Sequence, residues 1–381
     1  MIKNIIKMKR EIYLDNSSTT KVYPEVFREM KPYFLKKYGN PSSLHEIGEE
    51  ASKAINEARE NIAKVINAKP WEIYFTSGGT ESDNLAIQGL ARANPKKRKI
   101  VIGSIDHAAI VSTCNYLKTK KYLVSKIPVD EKGLLDYNSL KKEINQNTLV
   151  FSTTHSNSVI GVIQDLKKIG DLCEKKGVFF HVDAAQSFGK LKIDVEEMKI
   201  DLLSGSAHKL GGPKGIGFLY VKKKTKIVPL IFGGGQEKNL RSGTENVPGI
   251  VGFSKALEIS NGVNKIKMEY LRNRLMEDLE KLGGKINGSK KKRIYNNVHV
   301  SFPKVSGQSL VLFLSNKNIY VSSGSACDSK KEREDYVLKS LGLTDNEING
   351  SIRISLNEEN NEKQIKIFLK ELEKILNKLR I

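Results

Sequence analysis

Residues able to do covalent chemistry concentrate in three short segments of the 381-residue chain. The first is Ser204-Gly205-Ser206-Ala207-His208-Lys209-Leu210-Gly211-Gly212-Pro213-Lys214-Gly215, which follows an apolar run. A lysine set among small residues can reach an aldehyde without obstruction, and nearby cations and desolvation lower its pKa toward the neutral, nucleophilic form. Lys209 suits that role, and the His-Lys pair after Ser-x-Ser favours it over its neighbour Lys214. The second is Phe75-Thr76-Ser77-Gly78-Gly79-Thr80-Glu81, a strand, a glycine turn and a helix start. Free amides and the helix dipole there favour an anion such as phosphate, although the same pattern also serves as a plain turn. The third is His181-Val182-Asp183-Ala184-Ala185-Gln186-Ser187. A carboxylate at the C-terminal edge of a sheet can hold a pyridine nitrogen protonated; alternatively Asp183 caps a helix. Taken together, in this order on successive strands, the three segments point to pyridoxal phosphate carried as a Schiff base on Lys209.

Those segments need a scaffold, and the hydrophobic pattern supplies one. Ile47, Ala51, Ala54, Ile55, Ala58, Ile62 and Ile66 recur at helical spacing and predict a helix over 45–66. Strands are expected at 73–75, 100–102, 148–153, 178–182, 202–204 and 218–221, separated by helices. That alternation predicts an α/β fold with a mostly parallel sheet covered by helices. Beyond about residue 255 the pattern changes to a helix over 265–282, strands near 297–302 and 352–355, and a closing amphipathic helix. The closing stripe is Ile365, Phe368, Leu369, Leu372, Ile375, Leu376 and Leu379. The expected division is a large cofactor-binding domain over 15–255 and a smaller α+β domain from 1–14 and 256–381.

Composition narrows the class. Cys114, Cys173 and Cys327 are the only cysteines, too few and too scattered for a disulfide framework or a zinc site. The first two sit in apolar helical patterns and read as inert core thiols. The net charge of +21 is spread along the chain, with short runs only at 96–99, 222–224 and 290–293. This is the pattern of solvated faces rather than of a nucleic-acid stripe, with attraction to acidic proteins or tRNA as the alternative. The basic N-terminus lacks an apolar signal core, and no run is long enough to span a bilayer. A cytoplasmic protein is expected.

The motifs as a set resemble the cysteine desulfurases of the NifS/IscS type, in the class V aminotransferase group of fold-type-I pyridoxal-phosphate enzymes. Besides the three segments, the resemblance rests on Gly39-Asn40-Pro41-Ser42-Ser43-Leu44-His45, Asp106-His107-Ala108-Ala109, Arg241-Ser242-Gly243-Thr244-Glu245-Asn246, Ser322-Ser323-Gly324-Ser325-Ala326-Cys327 and Ser351-Ile352-Arg353-Ile354-Ser355. It implies that His107 stacks on the cofactor ring and takes part in proton transfer, and that Asp183 pairs with the ring nitrogen. It further implies that Gln186 and residue 158 face the phenolic oxygen, and that Gly79, Thr80, Ser206 and His208 hold the phosphate. Thr244 would complete the phosphate site of the other protomer of a homodimer. Asn40 and Arg353 would bind the carboxylate of L-cysteine, the arginine by its planar fork. Cys327 would be the nucleophile that takes the sulfur as a persulfide, leaving alanine. It would then pass the sulfur to an iron–sulfur scaffold or a tRNA-thiolation enzyme. No resident metal is implied, though Cys327 could hand sulfur to a cluster.

Three positions depart from the family pattern. Asn157-Ser158-Val159 stands where two asparagines and a glutamate are usual, so Ser158 offers a shorter reach to the phenolic oxygen. Asp106 replaces a glutamate before His107, and Asn357 replaces a glycine. Two other reactions share the scaffold, transamination and selenocysteine lysis, of which the first needs no cysteine in a small-residue loop. A catalytically weak scaffold for sulfur-trafficking partners is the non-enzymatic alternative.

Overall fold

The computed structural model describes residues 11–323 and 331–379, so the expected nucleophile Cys327 lies outside the described residues. The chain forms two compact units, one of Thr19–Ser158 with Val162–Val263, the other of Met1–Ser18, Val159–Gly161 and Asn264–Ile381. The large unit thus runs on to Val263, and Val159–Gly161 falls in the other unit. Helix Val247–Asn261 buries Ile250, Phe253, Ala256 and Leu257 in the core of the large unit, and so carries the boundary past 255.

The large unit is built on a seven-stranded sheet. Its strands are β1 (Ile73–Thr76), β2 (Lys99–Gly103), β3 (Leu123–Ile127), β4 (Thr148–Thr154), β5 (Phe179–Asp183), β6 (Leu202–Ser206) and β7 (Gly217–Val221). The spatial order is β1-β7-β6-β5-β4-β2-β3. All but β7 run the same way; β7 is antiparallel to both of its neighbours. Strands β4, β6 and β7 are buried along their whole length, as sheet strands covered on both faces must be. The sequence pattern did not reveal β3, because an edge strand reading Leu-Val-Ser-Lys-Ile, with Leu123 exposed, carries little apolar signal.

Helix α1 (Glu46–Val65) starts where His45 Nδ1 accepts the amide of Gly48 at 3.2 Å. It buries Ala51, Ala54, Ile55, Ala58 and Ile62. Ile47, expected on that face, is 42% exposed, because the first turn precedes the point where the helix meets the core. Helix α2 (Gly79–Ala93) follows β1. Cys114 and Cys173 are buried; burial pushes the Cys114 thiol up to about 12 and raises Cys173 as well, so both are unreactive thiols.

The smaller unit holds four antiparallel strands: β8 (Lys285–Ile286), β9 (Asn297–Ser301), β10 (Ser322–Ser323) and β11 (Ser351–Ser355), in the order β10-β11-β9-β8. Among its helices are α3 (Lys265–Lys281) and the closing helix α4 (Glu362–Leu379); α4 buries Ile365, Phe368, Leu372, Ile375 and Leu376. No described helix is long and apolar enough to cross a membrane.

Candidate active site

Because six strands of the large sheet run together, their C-terminal ends share one edge, where α/β folds bind ligands. All three sequence segments arrive there. Strand β1 ends in the turn Ser77-Gly78-Gly79, where Gly78 adopts φ +151°, a conformation only glycine holds without strain. A Cβ on Gly79 would lie 3.5 Å from Ala185 Cβ and 3.9 Å from Ser206 Cβ. The turn, the end of β6 and the loop after β5 therefore meet around the start of α2. Exposed Thr80 stands in the first turn of that helix.

Asp183 closes β5, and its Oδ1 accepts the amide of Ala185 at 2.9 Å. The residues that follow form turns rather than a helix, so Asp183 is no helix cap. Exposed His107 caps the helix Ala108–Thr119, with Nδ1 accepting the amide of Ala109 at 3.2 Å. Single ligand atoms of His107, Asp183 and Asp83 all lie within 4.8 Å of one another. An exposed imidazole thus stands close to a buried carboxylate.

Lys209 ends a short turn, Ala207–Lys209, directly after β6, and is half-buried. Lys214 is exposed in the next turn. The Lys209 turn is tied down by Thr20, whose hydroxyl donates to the His208 carbonyl at 2.9 Å and accepts the Gly211 amide at 2.8 Å. Gly211 (φ +81°) packs so tightly on Tyr23 that a Cβ would overlap its ring. Neither Thr19 nor Thr20 was singled out in the sequence. Thr19 Oγ1 pairs with His208 Nδ1 at 3.1 Å. His208 itself is held down at about 4 by desolvation, then by Lys209, Lys214 and Lys190. It is neutral at physiological pH and can offer an anion a hydrogen bond rather than a charge. Buried Lys190 is lowered to about 7 by desolvation and by Lys209.

Beneath this edge lies a buried polar layer that the sequence did not disclose. Asp106 accepts bonds from the amides of Gly103 and Thr154 and from the Thr153 hydroxyl, yet burial raises it to about 7. Asp83 is raised well above the usual carboxylate range, by burial first and then by the charge of Asp183. His181 lies between Ser152 Oγ (2.8 Å) and Ser204 Oγ (3.0 Å) and is lowered to about 3 by burial. Its 3.6 Å approach to Asp83 is geometrically an ion pair, but burial leaves His181 uncharged at physiological pH, so the contact is not between two charges. His155, lowered to about 4 by burial, bonds Ser187, and its amide donates to the Asp183 carbonyl at 2.9 Å.

A raised carboxyl pKa means that folding takes up a proton. This costs stability as pH rises above the unfolded value, up to the folded one. In the cofactor-free chain, Asp83→Asn should therefore raise Tm by a few degrees, and the gain should grow from pH 5 to pH 8. A gain that shrank over that range in parallel melts would show Asp83 to be ionised.

Gln186 is buried in the loop after Asp183, and Ser158 is half-buried in the turn after β4. Despite the altered motif that turn is anchored, because Asn157 Nδ2 donates to the Ile105 carbonyl at 2.7 Å, two residues before His107. Val159 is buried. Asn40 is exposed, with its Oδ1 accepting the Ser42 amide at 2.9 Å. Thr244 is exposed, and its neighbour Arg241 pairs with Glu81 at 3.0 Å. In the smaller unit, buried Arg353 on β11 bonds Asp15 Oδ1 at 3.0 Å and Ser18 Oγ at 2.5 Å through Nη2, which orients its guanidinium.

The residues present fit pyridoxal phosphate on this geometry. Buried carboxyls at the strand ends suit a pyridinium, the glycine turn at a helix start suits the phosphate, and a half-buried lysine follows the strand that ends in Ser206. Residues 12–368 match the family model described as Aminotransferase class-V. The chain is 43% identical over 384 residues to the cysteine desulfurase IscS of Methanosarcina thermophila, covering 99% of this chain and 95% of that protein. It is 43% identical over 381 residues to the IscS of Clostridium botulinum, covering 98% and 96%. A solved NifS-like protein superposes with a TM-score of 0.92 at 39% identity, covering 97% of this chain and 100% of that one. A second solved protein, SspA in complex with cysteine, gives 0.83 at 36% identity, covering 91% and 99%. The fold and site define a class-V aminotransferase-type protein that uses pyridoxal phosphate. Within that class, the chain belongs to the cysteine desulfurases of the NifS/IscS type.

Proposed function

We propose that this chain releases L-alanine from L-cysteine and carries the sulfur away as a persulfide on Cys327. The observation that carries the reading is the meeting of His107, Asp183 and the Gly78-Gly79 turn with the Lys209 segment at one sheet edge. When bound, pyridoxal phosphate supplies an electron sink for charge developing at the substrate Cα.

In this reading Lys209 Nζ would hold the aldehyde and would take the Cα proton of the substrate. Asp183 would hold the proton of the ring nitrogen, and His107 would lie against the ring. Gly79, Thr80, Ser206 and neutral His208 grip the phosphate through hydrogen bonds, while Gln186 and Ser158 face the phenolic oxygen. Asn40 and Arg353 bind the substrate carboxylate. The Cys327 thiolate attacks the substrate Sγ and forms an S–S bond. The Cβ–Sγ bond breaks with its electron pair moving to Cβ, which a proton then converts to the methyl group of alanine. An iron–sulfur scaffold protein or a tRNA-thiolation enzyme receives the sulfur, the iron–sulfur role being suggested by the relatives' name IscS.

A homodimer completes the site, with Thr244 reaching the partner's phosphate. Support comes from the exposure of Thr244 and from the exposed apolar residues before its loop, Phe232 at 72% and Ile231 at 41%. The test is incubation with L-cysteine, followed by measurement of alanine and of the mass of the Cys327 peptide. Equimolar alanine and a one-sulfur mass gain are expected; 3-mercaptopyruvate with no mass gain would point to transamination instead.

A further inference from the structure

Strand β1 is the outer strand of its sheet, so among the described residues one side of its backbone has no neighbouring strand. Two buried charges occupy that side. Glu237 accepts the Phe75 amide at 2.8 Å, and Arg59 from helix α1 donates to the Ile73 carbonyl. The two side chains also grip each other at both oxygens, at 2.7 and 2.8 Å, with side-chain exposures of 10% for Arg59 and 3% for Glu237. Burying such a pair is costly unless every hydrogen bond is made, and here the sheet edge makes them.

Glu237 begins an unusual piece of backbone. Glu237, Lys238 and Asn239 are all left-handed, with φ of 47°, 56° and 67°. Three successive non-glycine residues in that region persist only where surrounding bonds enforce it. Local bonds hold part of it, with the Asn239 amide donating to the Gly235 and Gln236 carbonyls, and Lys238 ties it to the segment entering β1, its Nζ reaching the Trp71 carbonyl at 2.9 Å and lying 5.3 Å over the Tyr74 ring. Further along the loop, Gln236 accepts the Gly243 amide at 2.9 Å, and Arg241 pairs with Glu81, which itself accepts the Ser77 amide at 2.8 Å. Between loop and turn lies a small cavity of about 40 Å³ bordered by Ser77, Arg241, Gly243 and Asn246. Polar bonds span this gap from the loop to the turn.

We propose that the Arg59–Glu237 clamp is a positioning device for phosphate binding: it fixes the 233–246 loop to the strand that runs into Ser77-Gly78-Gly79, and so places Arg241 and Thr244. This deepens the proposed function and rests on its phosphate assignment. The clamp touches no cofactor atom; it acts through Arg241 on the turn of its own protomer and through Thr244 on the partner's site.

The readout is the affinity of the cofactor-stripped full chain for pyridoxal 5'-phosphate relative to pyridoxal, which isolates the phosphate's contribution. A paired Arg59→Met, Glu237→Met variant removes both charges without stranding either. It should keep a cooperative melt but lose at least tenfold in that preference. A preference within twofold of the parent, in a folded double variant, would reduce the clamp to a structural role and overturn the proposal. Should the double variant not fold, Glu237→Gln, which keeps the shape and one acceptor, decides on the same criterion with a threefold loss expected. Thr244→Ala judges the underlying reading separately. An unchanged preference there would refute the shared phosphate site while leaving the clamp variants to report on the Ser77–Glu81 turn.

Discussion

Replacing Lys209 with alanine is expected to abolish the visible absorption of the lysine-bound cofactor and to lower alanine release from L-cysteine by about 10²–10⁴-fold. Two functions are lost together, the covalent hold on the aldehyde and the base that takes the Cα proton. The phosphate turn, Asp183 and His107 remain, so pyridoxal phosphate should still bind, more weakly and without the colour of the bound state. Lys190 sharpens this test. It is buried and lowered to about 7, and Lys209 contributes to that lowering. In Lys209→Ala it loses a like charge, so it becomes more basic and less nucleophilic at neutral pH. Rescue by Lys190 is therefore not expected. Lys214→Ala, at an exposed position, should match the parent within a factor of about two, since surface substitutions away from buried partners generally change free energies by less than about 0.5 kcal/mol. Equal loss in both variants, by absorbance and by alanine assay, would mean the wrong lysine has been assigned.

Cys327→Ala is expected to fail differently. It should retain the absorption of the bound cofactor, because the lysine, the carboxylates and the phosphate turn belong to other segments, but form no persulfide and deliver no sulfur to an acceptor. Of the three cysteines in the chain, Cys114 and Cys173 cannot substitute, since burial holds both thiols protonated. Brief alkylation of the native protein should accordingly label one thiol per chain, and Cys327→Ala should label none. Continued transfer of sulfur to an acceptor protein at the parent rate by Cys327→Ala would remove the persulfide from the mechanism.

The charges around the site follow a common logic. Burial leaves His155, His181 and His208 neutral near physiological pH and raises Asp83 well above the usual carboxylate range. Asp183, less deeply enclosed and bonded to an amide, faces His107 at the open side of the cluster. The altered Asn157-Ser158-Val159 turn keeps its anchor at Ile105 and buries Val159, which accounts for the tolerance of an apolar residue where the family has a glutamate.

Strand–helix alternation, the helix periodicities over 45–66 and 265–282, and the three cofactor segments were all legible in the sequence. Each depends on local pattern: apolar spacing, glycines where a turn needs them, and a lysine among small residues. Strand β3 was not legible, since an exposed edge strand needs little apolar sequence. Nor was the reversed direction of β7, because strand direction depends on which neighbour a strand pairs with. The buried layer of Asp83, Asp106 and His181, the Thr20 tether and the Arg59–Glu237 clamp were also hidden. Their partners lie far apart in the chain, 178 residues in the case of Arg59 and Glu237, and a charged residue looks the same in sequence whether it ends up in water or in a core. The sequence by itself thus determined which residues could do the chemistry. Only the tertiary structure decided which of them are charged and what holds them in place, because desolvation and long-range pairing arise only once the chain has folded.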